Sequence, residues 1–152
     1  MINQFDELTP EQQTQMLRAI PLITILIAEA DGRMDEKEID WAKKMVNIRS
    51  FSTHDALQPF YEHVEAVFDS EFSDIMSNLP ADRVARQEAI SAELSQLNDL
   101  LPELNATYSH LFYKSLLSFA EHIAKAAGGF LGSFSIGPEE KKWIGLPMVH
   151  PH

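Results

Sequence analysis

The amino-acid sequence predicts an all-α fold, a single domain of about seven helices. Two observations carry this. Apolar residues recur at spacings of three and four along most of the chain, and no convincing strand-like alternation appears. Proline and glycine punctuate the pattern: Pro10 and Pro138 open helices, Pro80, Pro102 and Gly128-Gly129 close them. At 152 residues and 45% hydrophobic, the chain can bury a core without disulfides or metals.

Thr9-Pro10-Glu11-Gln12 reads as a capping box with proline at the first helical position, starting a helix that runs toward Ala19. Pro21 marks a kink or a second helix carrying Leu22, Ile23, Ile25, Leu26 and Ile27, apolar on nearly every side and hence central. Asp35 to Arg49 is the next helix, with Trp41, Met45 and Ile48 as its apolar positions. Ser52, Thr53 and Asp55 compete to cap a segment reaching Phe68, and Phe72 to Leu79 follows as a short helix. Ala81 to Leu101 is a long amphipathic helix. Tyr108 to Ala127 is a second strongly apolar one, closed by Gly128-Gly129. Pro138 opens a last helix through Trp143, and residues 148–152 read as a loose tail. Both tryptophans are expected to pack between helices.

Cysteine is absent, which removes thiol catalysis, disulfides and cysteine-based zinc sites together. The formal net charge of −11 disfavours nucleic acid and suits cations, basic partners or plain solubility. Met1 to Gln15 lacks the order of a signal peptide, and the most apolar run, Ile20 to Ala30, is too short for a membrane span. The expectation is a cytoplasmic protein with no transmembrane segment.

Two stretches resemble each other. Ile27, Ala28 and Gly32 match Ile123, Ala124 and Gly128. After a six-residue insertion, Met34, Glu38 and Trp41 match Ile136, Glu140 and Trp143. This suggests two pseudo-repeated helical hairpins.

The first hairpin holds six carboxylates within twelve residues: Glu29, Asp31, Asp35, Glu36, Glu38 and Asp40, opposed by Arg33 and Lys37. Calcium or magnesium would suit such a cluster, because several oxygen ligands must replace the ion's water shell. Capping accounts for much of the same pattern. Gly32 can end one helix, Asp35 can cap the next with Glu38 as its box partner, and Met34 with Ile39 fits a hydrophobic staple. Both readings stand. An EF-hand does not, because its first ligand position would fall on Ile27.

The stretch A-E-A-D-G-R-M-D-E-K-E-I-D-W, Ala28 to Trp41, resembles the signature of the TerB-like family, named for tellurite-resistance proteins. The resemblance covers the first hairpin well, the second partly, and the middle only by helical character. It implies a TerB-like all-α domain of two related hairpins over residues 1–152. It implies a cytoplasmic, stress- or tellurite-associated role, no enzymatic activity, and a divalent metal at the hairpin turns. Carried over by position, Asp31 and Glu38 would be ligands, Asp35 a neighbour, and Glu140 the counterpart of Glu38. Ala127 stands where Asp31 would be matched, so the second half-site departs from the pattern.

Other chemistry finds little footing. His54, His63, His110, His122, His150 and His152 form no zinc-protease spacing, and no phosphate loop or nucleophile elbow is present. The alternative to metal binding is a metal-free protein-interaction module, using the acidic face or the Phe130–Phe134 loop.

Overall fold

The computed structural model describes residues 1–30, 34, 36–130 and 141–151, with backbone alone for 127–130. After a 3-10 turn at Phe5–Glu7 come α1 (Pro10–Ala28), α2 (Glu36–Ser52), α3 (Gln58–Asn78), α4 (Arg83–Ser95), the single turn α5 (Leu97–Leu100), a 3-10 turn at Leu101–Glu103, and α6 (Ala106–Phe130). Five long helices and one short turn thus stand, among the described residues, where about seven helices were expected. The expected last helix, Pro138 through Trp143, begins outside the described residues, and of its described part Lys141 alone is helical while residues 142–145 form turns; the inserted turn of the second repeat, from Leu131, also lies outside them.

α1 begins as its sequence dictates. Thr9 Oγ1 accepts from the Gln12 amide at 3.1 Å, and Gln12 Oε1 accepts from the Thr9 amide at 2.9 Å. The helix then passes through Pro21 unbroken, so one helix replaces the expected two. An interior proline costs about 3 kcal/mol. Every residue from Ala19 to Ala28 is buried, and each large aliphatic contributes about 1.5–3 kcal/mol on burial, so packing outweighs the defect. α1 is the central rod, against which α2, α3, α4 and α6 all pack.

The two helices expected over 55–79 are also one, α3. Nothing in Asp69-Ser70-Glu71 breaks a helix, and Phe60, Val64, Phe68, Phe72 and Ile75 continue a single stripe. The Phe68 and Phe72 rings stack at 5.8 Å across the expected gap. None of the three cap candidates caps it. Leu57 holds the cap position without a side-chain bond, and the Gln58 side chain donates from Nε2 to the Thr53 carbonyl at 3.0 Å. The long helix expected over 81–101 stops at Ser95 and resumes as α5. Its start is capped by Asp82, which accepts from the Ala85 amide at 2.9 Å. α6 starts under Asn105 Oδ1, which accepts from the amides of Thr107 and Tyr108. Its backbone runs past Gly128-Gly129 to Phe130; glycine lowers helix propensity by only about 1 kcal/mol and does not oblige a stop.

Phe5, Phe60, Tyr61, Phe112 and Phe119 are the largest buried rings. Phe60 meets Phe5, Tyr61 and Phe112 edge-on at 6.0, 5.0 and 5.2 Å. No strand forms among the described residues; an isolated bridge joins Ile2 to Leu104. The segment expected to be a loose tail is docked over 148–150. Val149 is buried, Asn98 donates to the Met148 carbonyl at 2.8 Å, and Asn98 Oδ1 accepts from the His150 amide at 2.8 Å. Among the described residues no helix is long and apolar enough to cross a membrane.

Candidate functional site

Helix α1 delivers the acidic hairpin, and its C-terminal end is held from an unexpected direction. The last carbonyls of a helix carry partial negative charge and attract cations. Two arginines on the first turn of α4 answer it. Arg86 Nη2 lies 2.7 Å from Glu29 Oε1, and the Arg83 guanidinium donates to the Ala30 carbonyl. Glu29 is therefore half-buried and engaged in an ion pair. Arg83 and Arg86 lie more than fifty residues away in sequence. Their spacing of three at a helix start was the sole sequence signal, and charge spacing alone does not say which helix end they reach.

Beyond the hairpin turn, α2 presents two stripes about 100° apart. The inner one carries Glu38, Ala42, Met45 and Val46, all buried, and continues to half-buried Arg49. The outer one carries Lys37, Trp41, Lys44, Ile48 and Phe51, all exposed. Of the expected apolar set, Met45 is inside, whereas Trp41 and Ile48 are not. Trp41 is 41% exposed, which corrects its expected place between helices; Trp143 is partly buried against the core. Both stripes satisfy helical spacing. Ala42, Val46 and Met45 take the inward side because α2 packs closely on α3, and a small residue permits that approach.

Of the residues expected to bind metal, Glu38 alone is described. Its side chain is on the inner face of the first turn of α2 and only 6% exposed. Met34 and Ile39 are both partly buried on the core, as a staple requires. Asp31, Asp35 and Glu140 lie outside the described residues, as do Leu131 to Phe134 and the side chain of Phe130. Among the described residues, no three of His, Asp or Glu converge to hold an ion.

The remaining polar groups are organised around two arginines. On α1, Arg18 binds Glu93 of α4 through Nε at 2.7 Å and Nη2 at 3.0 Å. Its Nη1 reaches Glu71 and Asp74 of α3 at 3.0 and 2.8 Å. The Glu93 hydrogen bond, chiefly, raises the Arg18 pKa further above its already high ordinary value. Arg49 is different, because its described acceptors are neutral. Nη1 donates to the Tyr61 hydroxyl at 2.9 Å and the Ser115 carbonyl at 3.0 Å. Nη2 donates to Ser118 Oγ at 2.8 Å and His122 Nδ1 at 3.0 Å. The guanidinium carbon sits 5.5 Å from the Tyr61 ring centroid and 5.3 Å from that of Phe119. Tyr61 and Ser115 share a hydroxyl–hydroxyl hydrogen bond. Desolvation, then the charges of Arg49 and Lys125, push the His122 pKa down, with Glu121 opposing. Neutral His122 accepting at Nδ1 carries its proton on Nε2.

The other histidines are local. His63 donates from Nδ1 to the Pro59 carbonyl at 2.7 Å and lies against Phe5, and His54 Nδ1 accepts from the Ala56 amide at 3.1 Å. No family model, curated protein or solved structure matches the chain.

Proposed function

We propose that this chain is a non-enzymatic, TerB-like binding protein that takes a divalent cation, of the calcium or magnesium type, at the turn between α1 and α2. The observation that carries the reading is the burial of Glu38 at the start of α2. Its carboxylate lies on the first turn of α2, next in sequence to the acidic stretch that holds Asp31 and Asp35. The helix dipole favours Glu38 there, and a cation held by Glu38 with Asp31 and Asp35 would favour it further. The frame is suited to such a site. Glu29 and Ala30 are anchored by Arg86 and Arg83, so the α1 end of the turn is held in place. A binding role without catalysis fits the Arg49 cluster, where His122 Nδ1 faces a guanidinium and not a hydroxyl nucleophile.

Calorimetry of the full chain at physiological salt is expected to show saturable binding of calcium or magnesium. Glu38→Gln and Asp31→Ala should each weaken it without lowering the melting temperature appreciably. No saturable heat with either ion, or affinity unchanged in both variants, would sink the assignment. The stress- or tellurite-associated role rests on the Ala28–Trp41 resemblance and stands or falls with that cation site.

A further inference from the structure

We propose that the Arg49–His122 contact is an acid-sensitive latch: protonation of His122 frees the C-terminal half of α2 from α6 while α2 stays seated on α3. Arg49 Nη2 donates to His122 Nδ1 at 3.0 Å. A guanidinium stays charged and can only donate, so this bond needs a bare Nδ1. Nε2 already carries the proton of the neutral ring, so the proton that makes an imidazolium adds at Nδ1. The bond is then lost, and two cations face each other. His122 is exposed, so the charged ring can turn to water.

The two seams of α2 are fastened unequally. Among the described residues, every hydrogen bond between α2 and α6 comes from Arg49, to Ser115, Ser118 and His122. α3 is joined by more: Arg49 to Tyr61, Asn47 to Glu65, Lys43 to Asp69, and the buried Ala42, Met45 and Val46. The charges around His122 favour release once it is protonated. Arg49 faces it from α2. Lys125 and Glu121 flank it on α6, where they pair at 3.0 Å. From α3 the cluster receives Tyr61, a neutral hydroxyl. α1 also packs on α6, but its buried stretch from Ala19 to Ala28 holds no charged residue. The turn at Leu101–Glu103 meets α6 as well, and its Glu103 accepts from Gln12 at 3.4 Å. Protonation thus sets three cations against one carboxylate.

The test is amide hydrogen–deuterium exchange of the full chain in EDTA, at about pH 7 and about pH 5.5, corrected for the intrinsic pH dependence of exchange. Peptides covering residues 44–52 should lose protection at the lower pH, by up to about tenfold, the bound set by the ordinary histidine value of 6.5. Peptides from the buried part of α1 should keep theirs. His122→Gln stays neutral and can still accept from Arg49, so it should abolish the change. In an NMR titration, Arg49→Leu should raise the His122 pKa, because the facing cation is gone. The latch is overturned if residues 44–52 keep their protection, or if His122→Gln loses it as the native chain does. It is also overturned if α1 opens in step, which is global unfolding, or if His122 titrates alike with and without Arg49.

Discussion

Replacing Arg49 with leucine tests whether one guanidinium joins α2, α3 and α6. The native side chain makes four hydrogen bonds of 2.8–3.0 Å to Tyr61, Ser115, Ser118 and His122. A hydrogen bond from a charged donor is worth about 1.5–3 kcal/mol, but such terms are not additive within one network. Leucine retains part of the packing on Tyr61 and Phe119. Tyr61 and Ser115 still satisfy each other through their hydroxyls. The Ser115 carbonyl keeps the helix's own bond within α6, whereas Ser118 Oγ and His122 Nδ1 lose the Arg49 donor. A loss of about 2–4 kcal/mol follows. In a chain of this size that lowers the melting temperature by roughly 4–16 °C. Urea unfolding followed by circular dichroism reads both quantities. Arg49→Lys keeps the charge but not the planar fork, so it should recover only part of the loss. A double-mutant cycle with His122→Ala should show coupling of about 0.5 kcal/mol or more. A loss below about 1 kcal/mol for Arg49→Leu, or Arg49→Lys equal to the native chain, would refute the joint.

Three further outcomes follow from the same geometry. His122 has a lowered pKa in the folded chain, so below its ordinary value of 6.5 the unfolded chain binds the proton more readily; stability should fall as pH drops from about 6.5, and His122→Gln should flatten that limb of a pH–melting profile. Arg18→Met leaves Glu71, Asp74 and Glu93 facing one another, so it should cost about 2 kcal/mol near neutral pH; the deficit should shrink in melts at about pH 4, where carboxylates protonate. The Tyr108 hydroxyl is buried with no hydrogen-bond partner among the described residues, and burial, then Asp6, pushes its pKa up to about 12. Tyr108→Phe should therefore leave stability at neutral pH unchanged or slightly raised. It should also remove part of the alkaline loss expected as pH rises from 10 toward 12.

Much of the fold was legible in the sequence, and its failures share a cause. Helix existence follows from spacing, and the Thr9 cap from chemistry confined to four residues. Helix boundaries failed where a local signal met a tertiary one. Pro21 is a strong local breaker, yet the all-round burial of α1 overrides it. Gly128-Gly129 permits a stop that α6 does not take. At Gln96 the helix breaks with no proline or glycine to announce it. The orientation of α2 failed for a different reason: two stripes satisfy helical periodicity, and nothing within the helix says which one meets α3. The sequence favours Trp41 by its size, whereas close packing favours Ala42.

The candidate site shows the same division between local and distant information. Counted along the chain, the hairpin holds six carboxylates, and density alone suggests a cation. Counted in space, the set is smaller. Glu29 belongs to Arg86, whose partner could not be known before α4 was placed. The acidic excess elsewhere behaves likewise: Glu71, Asp74 and Glu93 converge on Arg18, and Asp69 pairs with Lys43 at 2.9 Å. Sequence charge thus overstates how much anionic surface is available to a ligand. The cation reading therefore rests on Glu38 with Asp31 and Asp35, not on the six. On α2 one stripe carries that buried carboxylate, whereas Trp41, Ile48 and Phe51 lie exposed on the neighbouring stripe.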